Sequence, residues 1–520
     1  MEMKKTLFLL SVVLAGHFSR AQAQDLEKLL WDNPWLNRSN VAGMAFSGRD
    51  YSVISLYGTY GGGSFRNVYD PVSCNTFGLQ TRSYVHRGNV FLSGSFQYEY
   101  QSRKDQQWLG LQDPYKTPFM LADSVAGAYA LETYRMHAAV AVPVSKKLTL
   151  GGSLSYNARS GAKHRDLRNS DLYMDFEISP SLVYQSGPAR IGAHLYFRRI
   201  TEQVDFTQVE TSTNKILFSF SGLWFNTRQV FTTSAPRTRL LKDHLYGGGL
   251  TAQYTVGKFS LYDHFSAGFR DQSQREDVVL AKKFGDVREW SWENTLILYY
   301  GERHRLVAEA SRVGLTGYLP VQRQELNEAS RLWEWVQYGS IPSFVQETFV
   351  MGLNYSYRVP RNESYDSWRF SAGMNRMQFM QQWVRYPVSV QRSWDRLDAF
   401  VNLTKNWSLK HAMLDLSPEF SYGTGSLTAT DPEALPDPAD LQSIGFENPD
   451  QFFLREQAAK ENEYMTSPRL SAGLRLRIIF FGGRNRNLNL FAETGYRYMR
   501  SLSAANRTFH SAGLNIGVLF

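Results

Sequence analysis

One cysteine, Cys74, stands in 520 residues, so no intrachain disulfide can form and stability must come from elsewhere. Past the N-terminus there is no run of about 20 consecutive apolar residues, which excludes a bundle of membrane-spanning helices. Metal-binding spacings are missing too: no H-x-x-x-H, no C-x-x-C and no Asp-rich calcium loop occurs, so neither a metal nor a cofactor is expected. The net charge of +9 is spread over turns and alternating positions and not gathered into a basic block. That pattern points away from nucleic acid and toward anionic lipid headgroups.

Aromatic residues are abundant, with 29 Tyr, 33 Phe and 12 Trp, yet the mean hydropathy is −0.38. Two classes reconcile these facts: a large secreted all-β protein, or a transmembrane barrel whose hydrophobicity is hidden by alternation. The first residues name the compartment. Lys4-Lys5, an apolar run from Leu7 to Ala15 and then Ala21-Gln22-Ala23 form a secretory leader over residues 1–23, cut near Ala23. Gln24, not Cys, follows the cut, so no lipid anchor is expected. Residues 24–50 read as a short helical or irregular lead-in, either periplasmic or plugging the lumen, and 51–520 as the barrel.

Alternation carries the fold. In the terminal stretch Ala512, Leu514, Ile516, Val518 and Phe520 form an apolar row, while Ser511, Gly513, Asn515, Gly517 and Leu519 form its small or polar counterpart. A period of two means a strand whose faces meet different surroundings. Leu514, Ile516, Val518 and Phe520 look like the closing-strand signal read by barrel-assembly machinery. The same pattern recurs: Leu92, Gly94, Phe96, Tyr98 and Tyr100 against Ser93, Ser95, Gln97 and Glu99, and Leu470 to Ile478 against Ser471 to Arg477.

Strand pairs turn at His86–Asn89, Pro143–Lys147, Ser186–Pro188, Gly257-Lys258, Gly301–Arg305, Pro360–Ser367, Lys405–Trp407 and Phe481–Asn487. Long links alternate with these turns: Ser102–Gly127, Ser160–Asp171, Thr201–His244, Asp271–Asp286, Thr316–Val345 and Tyr422–Tyr464. Short on one side and long on the other marks an up-and-down barrel in the bacterial outer membrane. Aromatic doublets (Tyr98/Tyr100, Trp290/Trp292, Tyr299/Tyr300, Phe480/Phe481, Tyr496/Tyr498) sit at strand ends, as interfacial girdles do. The expected fold is all-β, a single antiparallel transmembrane β-barrel of about 18 strands, with 14–18 compatible. Lys215–Phe225 is placed in a long outer loop, because a membrane strand there would break the alternation.

These features together, with A-Q-A-Q, the early W-D-N-P-W-L-N and the final L-N-I-G-V-L-F, resemble Bacteroidota-type outer-membrane β-barrel proteins of a family of unknown function. That resemblance implies the fold and no established chemistry. Asn33-Pro34 is also similar to the early Asn-Pro of long-chain fatty-acid transporter barrels, whose N-terminal segment plugs the lumen. Trp35 stands where that family has Ala.

Catalytic sets are not found. His510-Ser511 could suggest a lipase-type dyad, but adjacent strand residues face opposite ways. Asp263-His264 and Asp243-His244 are omptin-like in type only, and no set satisfies every role a hydrolase needs. The inward row carries the charge: Arg82, Glu99, Arg135, His137, Arg159, Asp175, Glu177, His194, Arg198, Arg475, Arg477, Glu493 and Arg497. It reads either as the lining of a water-filled passage for polar, anionic solutes or as mutual pairing that closes the lumen. The link Tyr422–Tyr464 holds nine acidic residues between Asp431 and Glu463 and reads as a solvated loop. Leu326, Ala329, Leu332, Trp333 and Val336 fall at helical spacing, predicting a short helix at the mouth. Three functions follow: small-solute passage, alone or as accessory to another outer-membrane uptake complex; a non-conducting surface binding or assembly partner; and, least supported, a hydrolase.

Overall fold

The computed structural model describes residues 26–37, 39–47, 50–210, 212–231, 236–276, 282–361, 366–385, 388–429, 453–481 and 488–520. The leader with its cut near Ala23, the turn after Phe481 and most of the acidic segment lie outside these residues.

Eighteen antiparallel strands close into one barrel. Strand β1 (Tyr51–Gly63) is followed by β2 (Ser73–Arg87), β3 (Val90–Gln106), β5 (Gly127–Pro143), β6 (Leu148–Lys163), β7 (Arg168–Ser186) and β8 (Ala189–Thr207). The wall continues with β11 (Arg237–Val256), β12 (Phe259–Glu276), β13 (Lys282–Tyr300), β14 (His304–Leu326), β15 (Trp333–Pro360), β16 (Asp366–Arg385), β17 (Val388–Ser408) and β18 (Ala412–Ala429). It ends with β19 (Arg469–Phe481), β20 (Asn489–Ser501) and β21 (Thr508–Leu519), and β21 pairs back onto β1. Closure leaves no strand edge, which is what a sheet needs where hydrocarbon cannot satisfy backbone groups. Alternation sets the faces. Ile54, Leu56, Leu150, Leu154, Leu250, Phe265, Leu514 and Ile516 are all exposed on the outside, as a lipid-facing surface requires.

Turns at one end are tight. Gly187 and Gly257 take φ of 55° and 56°, the left-handed values that glycine adopts without Cβ strain. One expected turn is displaced. Lys405-Asn406-Trp407 lies within β17, and the reversal falls at 409–411. Asn406 points inward and donates to the Asp366 carbonyl (2.5 Å), so its amide serves the wall and not a turn.

At the other end the ladders run far past the length of about 9–11 residues that a membrane strand needs. Strands β14 and β15 are 23 and 28 residues long, against 12 or 13 for β1, β19, β20 and β21. Several expected long links are therefore hairpin extensions, and between β6 and β7 only 164–167 remain. The mouth helix expected around Leu326–Val336 is overturned: these residues form the tip of the β14–β15 hairpin, Leu326 opposite Trp333. The apparent i, i+3, i+4 spacing bridges a turn at 327–332 and belongs to no single element.

Girdle doublets split by parity. Tyr300 is 50% exposed on the outside, whereas Tyr299 is 9% exposed and faces the lumen. Phe480 faces out and Phe481 packs inward in the same way. Doublets spaced by two, such as Tyr98 and Tyr100, share a face, as a strand dictates.

Two groups of residues lie inside the cylinder. At the short-turn end, helix α1 (Leu26–Asp32) and two 3-10 turns (Pro34–Asn37, Val41–Phe46) pack against inward side chains. Asn33 stops α1, because the residue before a proline disfavours helix, and Pro34 opens the next turn. At the outer end β4 (Leu121–Asp123), β9 (Lys215–Gly222) and β10 (Phe225–Phe231) form a separate three-stranded sheet. Lys215–Phe225 thus belongs to an outer connection and not to the wall.

Candidate functional site

The N-terminal residues are fitted to the wall by small inward side chains. A Cβ on Gly151 would stand 2.7 Å from the Ala42 nitrogen, and one on Gly192 would stand 2.4 Å from Asn40 Nδ2. Into these gaps Asn40 donates to the Leu182 and Ala193 carbonyls (3.1 and 3.3 Å), while the Ala42 amide donates to Ser181 Oγ (3.1 Å). Trp35, 1% exposed, packs edge-on against Tyr262 and donates Nε1–H to Gln253 Oε1 (2.7 Å). Asp32 meets Arg358 at 2.8 Å and Lys28 meets Asp366 at 3.6 Å.

The outer residues converge on a carboxylate. Glu461 in helix α2 (Arg455–Thr466) is fully buried and accepts from Arg392 (2.7 Å), Tyr115 Oη (2.6 Å) and Trp224 Nε1 (2.7 Å). Burial, followed by the Glu461 charge, raises the Tyr115 hydroxyl well above its ordinary pKa, so it stays a donor. Trp224 reaches this place from a β9–β10 turn in which Leu223 and Trp224 both take positive φ (49° and 67°), after Gly222 at 111°. Each such non-glycine residue costs about 1–3 kcal/mol, and the burial of Trp224 against Trp108, Phe220 and Tyr69 offsets that cost. The expectation of a wholly solvated acidic loop fails at Glu461, because Arg392 on β17, a strand against which this helix packs, makes its burial tolerable.

Between these two groups lies a polar chamber with lobes of about 600, 920 and 470 Å³. The first two share Gln80, Gln97, Glu493 and Asn515; the second and third share Asn402, Glu419 and Arg475. Leu26, Lys28, Leu30 and Trp31 line it from the N-terminal side.

Among the charged residues singled out from the sequence, Arg82, Arg135, His137, Asp175, Glu177, Arg198, Arg477 and Glu493 line the first lobe. Glu99, Arg475 and Arg497 line the second, with Glu493 shared. Two lie apart. Arg159 covers the Tyr173 ring (4.8 Å), and His194 is buried with its ring stacked on His264 (5.5 Å). Arg198 forks onto Asp175 through two bonds of 2.7 and 2.6 Å, and Arg497 meets Glu419 at 3.6 Å. The neutral amides Gln80, Gln97, Gln101, Asn157 and Asn402 also line the chamber. They share the parity of the charged residues, which was their sequence signal.

The catalytic look-alikes do not assemble. His510 meets the Tyr496 hydroxyl (2.7 Å) on the outer face, opposite to Ser511. Asp263 takes Nδ2–H of Asn294 (2.8 Å) outside, whereas His264 faces in toward Thr251 (2.9 Å). Asp243 turns inward, 3.9 Å from Arg270. Among the described residues no three His, Cys, Asp or Glu side chains come together as metal ligands.

No curated protein matches the chain. Solved barrels resemble it in outline. The outer membrane transporter YddB from Escherichia coli is 8% identical over 90% of this chain and 81% of that one, with a TM-score of 0.42. The RagAB peptide importer gives 8%, 91%, 87% and 0.40, and the FrpB iron transporter from Neisseria meningitidis 9%, 95%, 83% and 0.38. At these values the likeness says nothing of cargo. The family of unknown function DUF6850 matches residues 41–520, the whole barrel and part of its inner N-terminal segment, and the chain belongs to that family.

Proposed function

We propose that the protein resides in the bacterial outer membrane and passes small polar solutes across it, without covalent chemistry. The supporting observation is the chamber: polar and charged side chains enclosed in a barrel, with Leu26, Leu30 and Trp31 of the N-terminal segment closing it from below. Selection would come from chamber width and its Arg, amide and carboxylate lining. Residues 26–46 would act as the inner plug and the Glu461 cluster as the outer one. Lipid surrounds the wall, and β21 would be the strand that the assembly machinery reads.

Planar-bilayer conductance tests this reading. Gly192→Val removes the slot for Asn40, so the variant should conduct more than the parent. Silence from both, with the variant folded and its N-terminal segment newly open to protease, would overturn passage. A second reading, a surface partner of another outer-membrane complex, draws on the β14–β15 arm. Among the described residues, 319–326 and 333–341 form strand pairs only with each other beyond the wall, and they expose Trp333, Tyr338 and Ile341.

A further inference from the structure

Several arginines within this barrel are matched to carboxylates: Arg198 to Asp175, Arg270 to Glu289, Arg239 to Glu276, Arg497 to Glu419 and Arg392 to Glu461. Others lie over aromatic rings, as Arg159 does over Tyr173 and Arg190 over Phe46. Arg82 and Arg135 break that habit. Both line the 600 Å³ lobe, and among the described residues neither comes within ion-pair distance of a carboxylate.

The register explains why. Arg82 lies opposite Ser95, and Ser95 opposite His137; Gln97 lies opposite Arg135. The two arginines therefore flank β3 from its neighbours on either side, at adjacent levels of one wall. A carboxylate, Glu99, stands one level away from Arg135. Its oxygens, however, already accept from the Tyr57 hydroxyl (2.8 Å) and the Gln101 amide (2.6 Å). The acid is satisfied by neutral donors, and the guanidinium groups are left for something else. Around them stand hydroxyl and imidazole groups, with His137 Nδ1 3.0 Å from Ser155 Oγ. Asp175, Glu177 and Glu493 also line the lobe, but Asp175 is taken by Arg198, and among the described residues none of the three lies within ion-pair distance of Arg82 or Arg135. Guanidinium groups so placed in a partly enclosed space favour an oxyanion, which each can grip through two parallel N–H bonds.

We propose that this lobe binds a small soluble anion, a carboxylate or phosphate compound, between Arg82 and Arg135. The inference rests on the passage reading and deepens it by naming the cargo class. A lobe of 600 Å³ lies within the range of about 300–1,000 Å³ that holds metabolite-sized ligands. Lipid headgroups are excluded as the source, because the side chains face the lumen. Leu26 of the N-terminal segment lines the same lobe, so a bound anion would rest beside the inner plug.

The test is calorimetric titration of the detergent-solubilised full chain with succinate, inorganic phosphate and, as the neutral control, glycerol. Succinate or phosphate should bind, glycerol should not, and Arg82→Gln with Arg135→Gln should weaken binding at least tenfold, the loss of one or two charge-assisted bonds. Arg198→Gln, which removes an arginine already held by Asp175, should weaken it less. Absence of anion binding, or equal binding by the double variant, overturns the proposal. Anion against cation permeability in liposomes separates the two readings. Solute uptake with no preference for anions leaves passage standing and removes the site. Anion binding without uptake keeps the site and removes passage.

Discussion

At the scale of single residues, Asp263 is out of keeping with its surroundings. Its neighbours on the same face of β12 are Leu261 and Phe265, both exposed, while Tyr262 and His264 between them are buried in the interior. An acid on a lipid-facing row destabilises a barrel, by less than the roughly 2–4 kcal/mol of a basic residue at the midplane, and here Asn294 is its partner. Asp263→Leu should therefore raise the urea midpoint of the barrel in lipid vesicles, by about 1–2 kcal/mol of stability. A lower midpoint would mean that the carboxylate is held by more than Asn294. Asp166, in the outer connection between β6 and β7, behaves oppositely. Burial opposes its charge, but the backbone N–H groups of Glu210 and Val209 (2.7 and 2.9 Å) and Arg168 outweigh that and depress its pKa. A depressed acid stabilises the fold above its ordinary value of about 3.9 and loses that contribution as pH falls through the native value. Hydrogen exchange at the Val209 and Glu210 amides should stay slow from pH 7 to pH 5 and quicken, relative to intrinsic rates, below about pH 4. In Asp166→Asn it should already be fast at pH 7. Of such details the sequence showed the chemical type and the face; it did not show that Asp166 would reach 44 residues along the chain, because loop contacts follow no period.

At the scale of elements, what could be read in advance was whatever repeats every two residues. Leu514 and Ile516 face out, Arg82 and Glu99 face the chamber, and Gly187 and Gly257 turn the chain, each for a local steric or solvation reason that a short window contains. Three features lay beyond that window. The Glu461 cluster joins residues from four distant segments. The slots at Gly151 and Gly192 have meaning only once Asn40 and Ala42 are in place. The β14–β15 arm misled because its two strands, read as one stretch, imitate a helix. The arm also marks a boundary of stability. Pairing of β13 with β14 ends at Tyr318 and pairing of β15 with β16 begins at Phe344, so among the described residues the tip between them has no third strand. An isolated hairpin is marginal in water. Replacing 320–340 with a short Gly-containing turn should leave the thermal unfolding temperature of the barrel within the error of the parent. A large drop would show that the arm packs on the wall through more than the Gln322–Lys283, Gln337–Lys283 and Trp335–Lys282 contacts.

The whole molecule depends on one seam. Strand β21 is hydrogen-bonded on one side to β20 and on the other to β1, from Val53↔Leu519 to Gly63↔Phe509, and Ser52 and Phe520 exchange a further pair of bonds (3.0 Å each). The rest of the wall is sequential, each strand beside the next, and only this seam joins the two ends of the described chain. Its apolar face meets lipid at Leu514 and Ile516, and its inner face holds Leu519 against Tyr51 and the N-terminal segment. Removing 514–520 would strip about half of the seam and leave edges of β1 and β20 with N–H and C=O groups in hydrocarbon. Each unsatisfied group costs several kcal/mol there, so a few exceed the whole stability of an ordinary domain. The truncated chain should fail to fold into vesicles, remaining protease-sensitive throughout and without the compact electrophoretic form of the parent. Replacing Leu514 and Ile516 by Val instead keeps every backbone bond and loses only side-chain area, and that variant should fold. If both variants fail alike, the side-chain row itself is required for closure; if both fold, the seam is dispensable and the barrel is held by its remaining ladders.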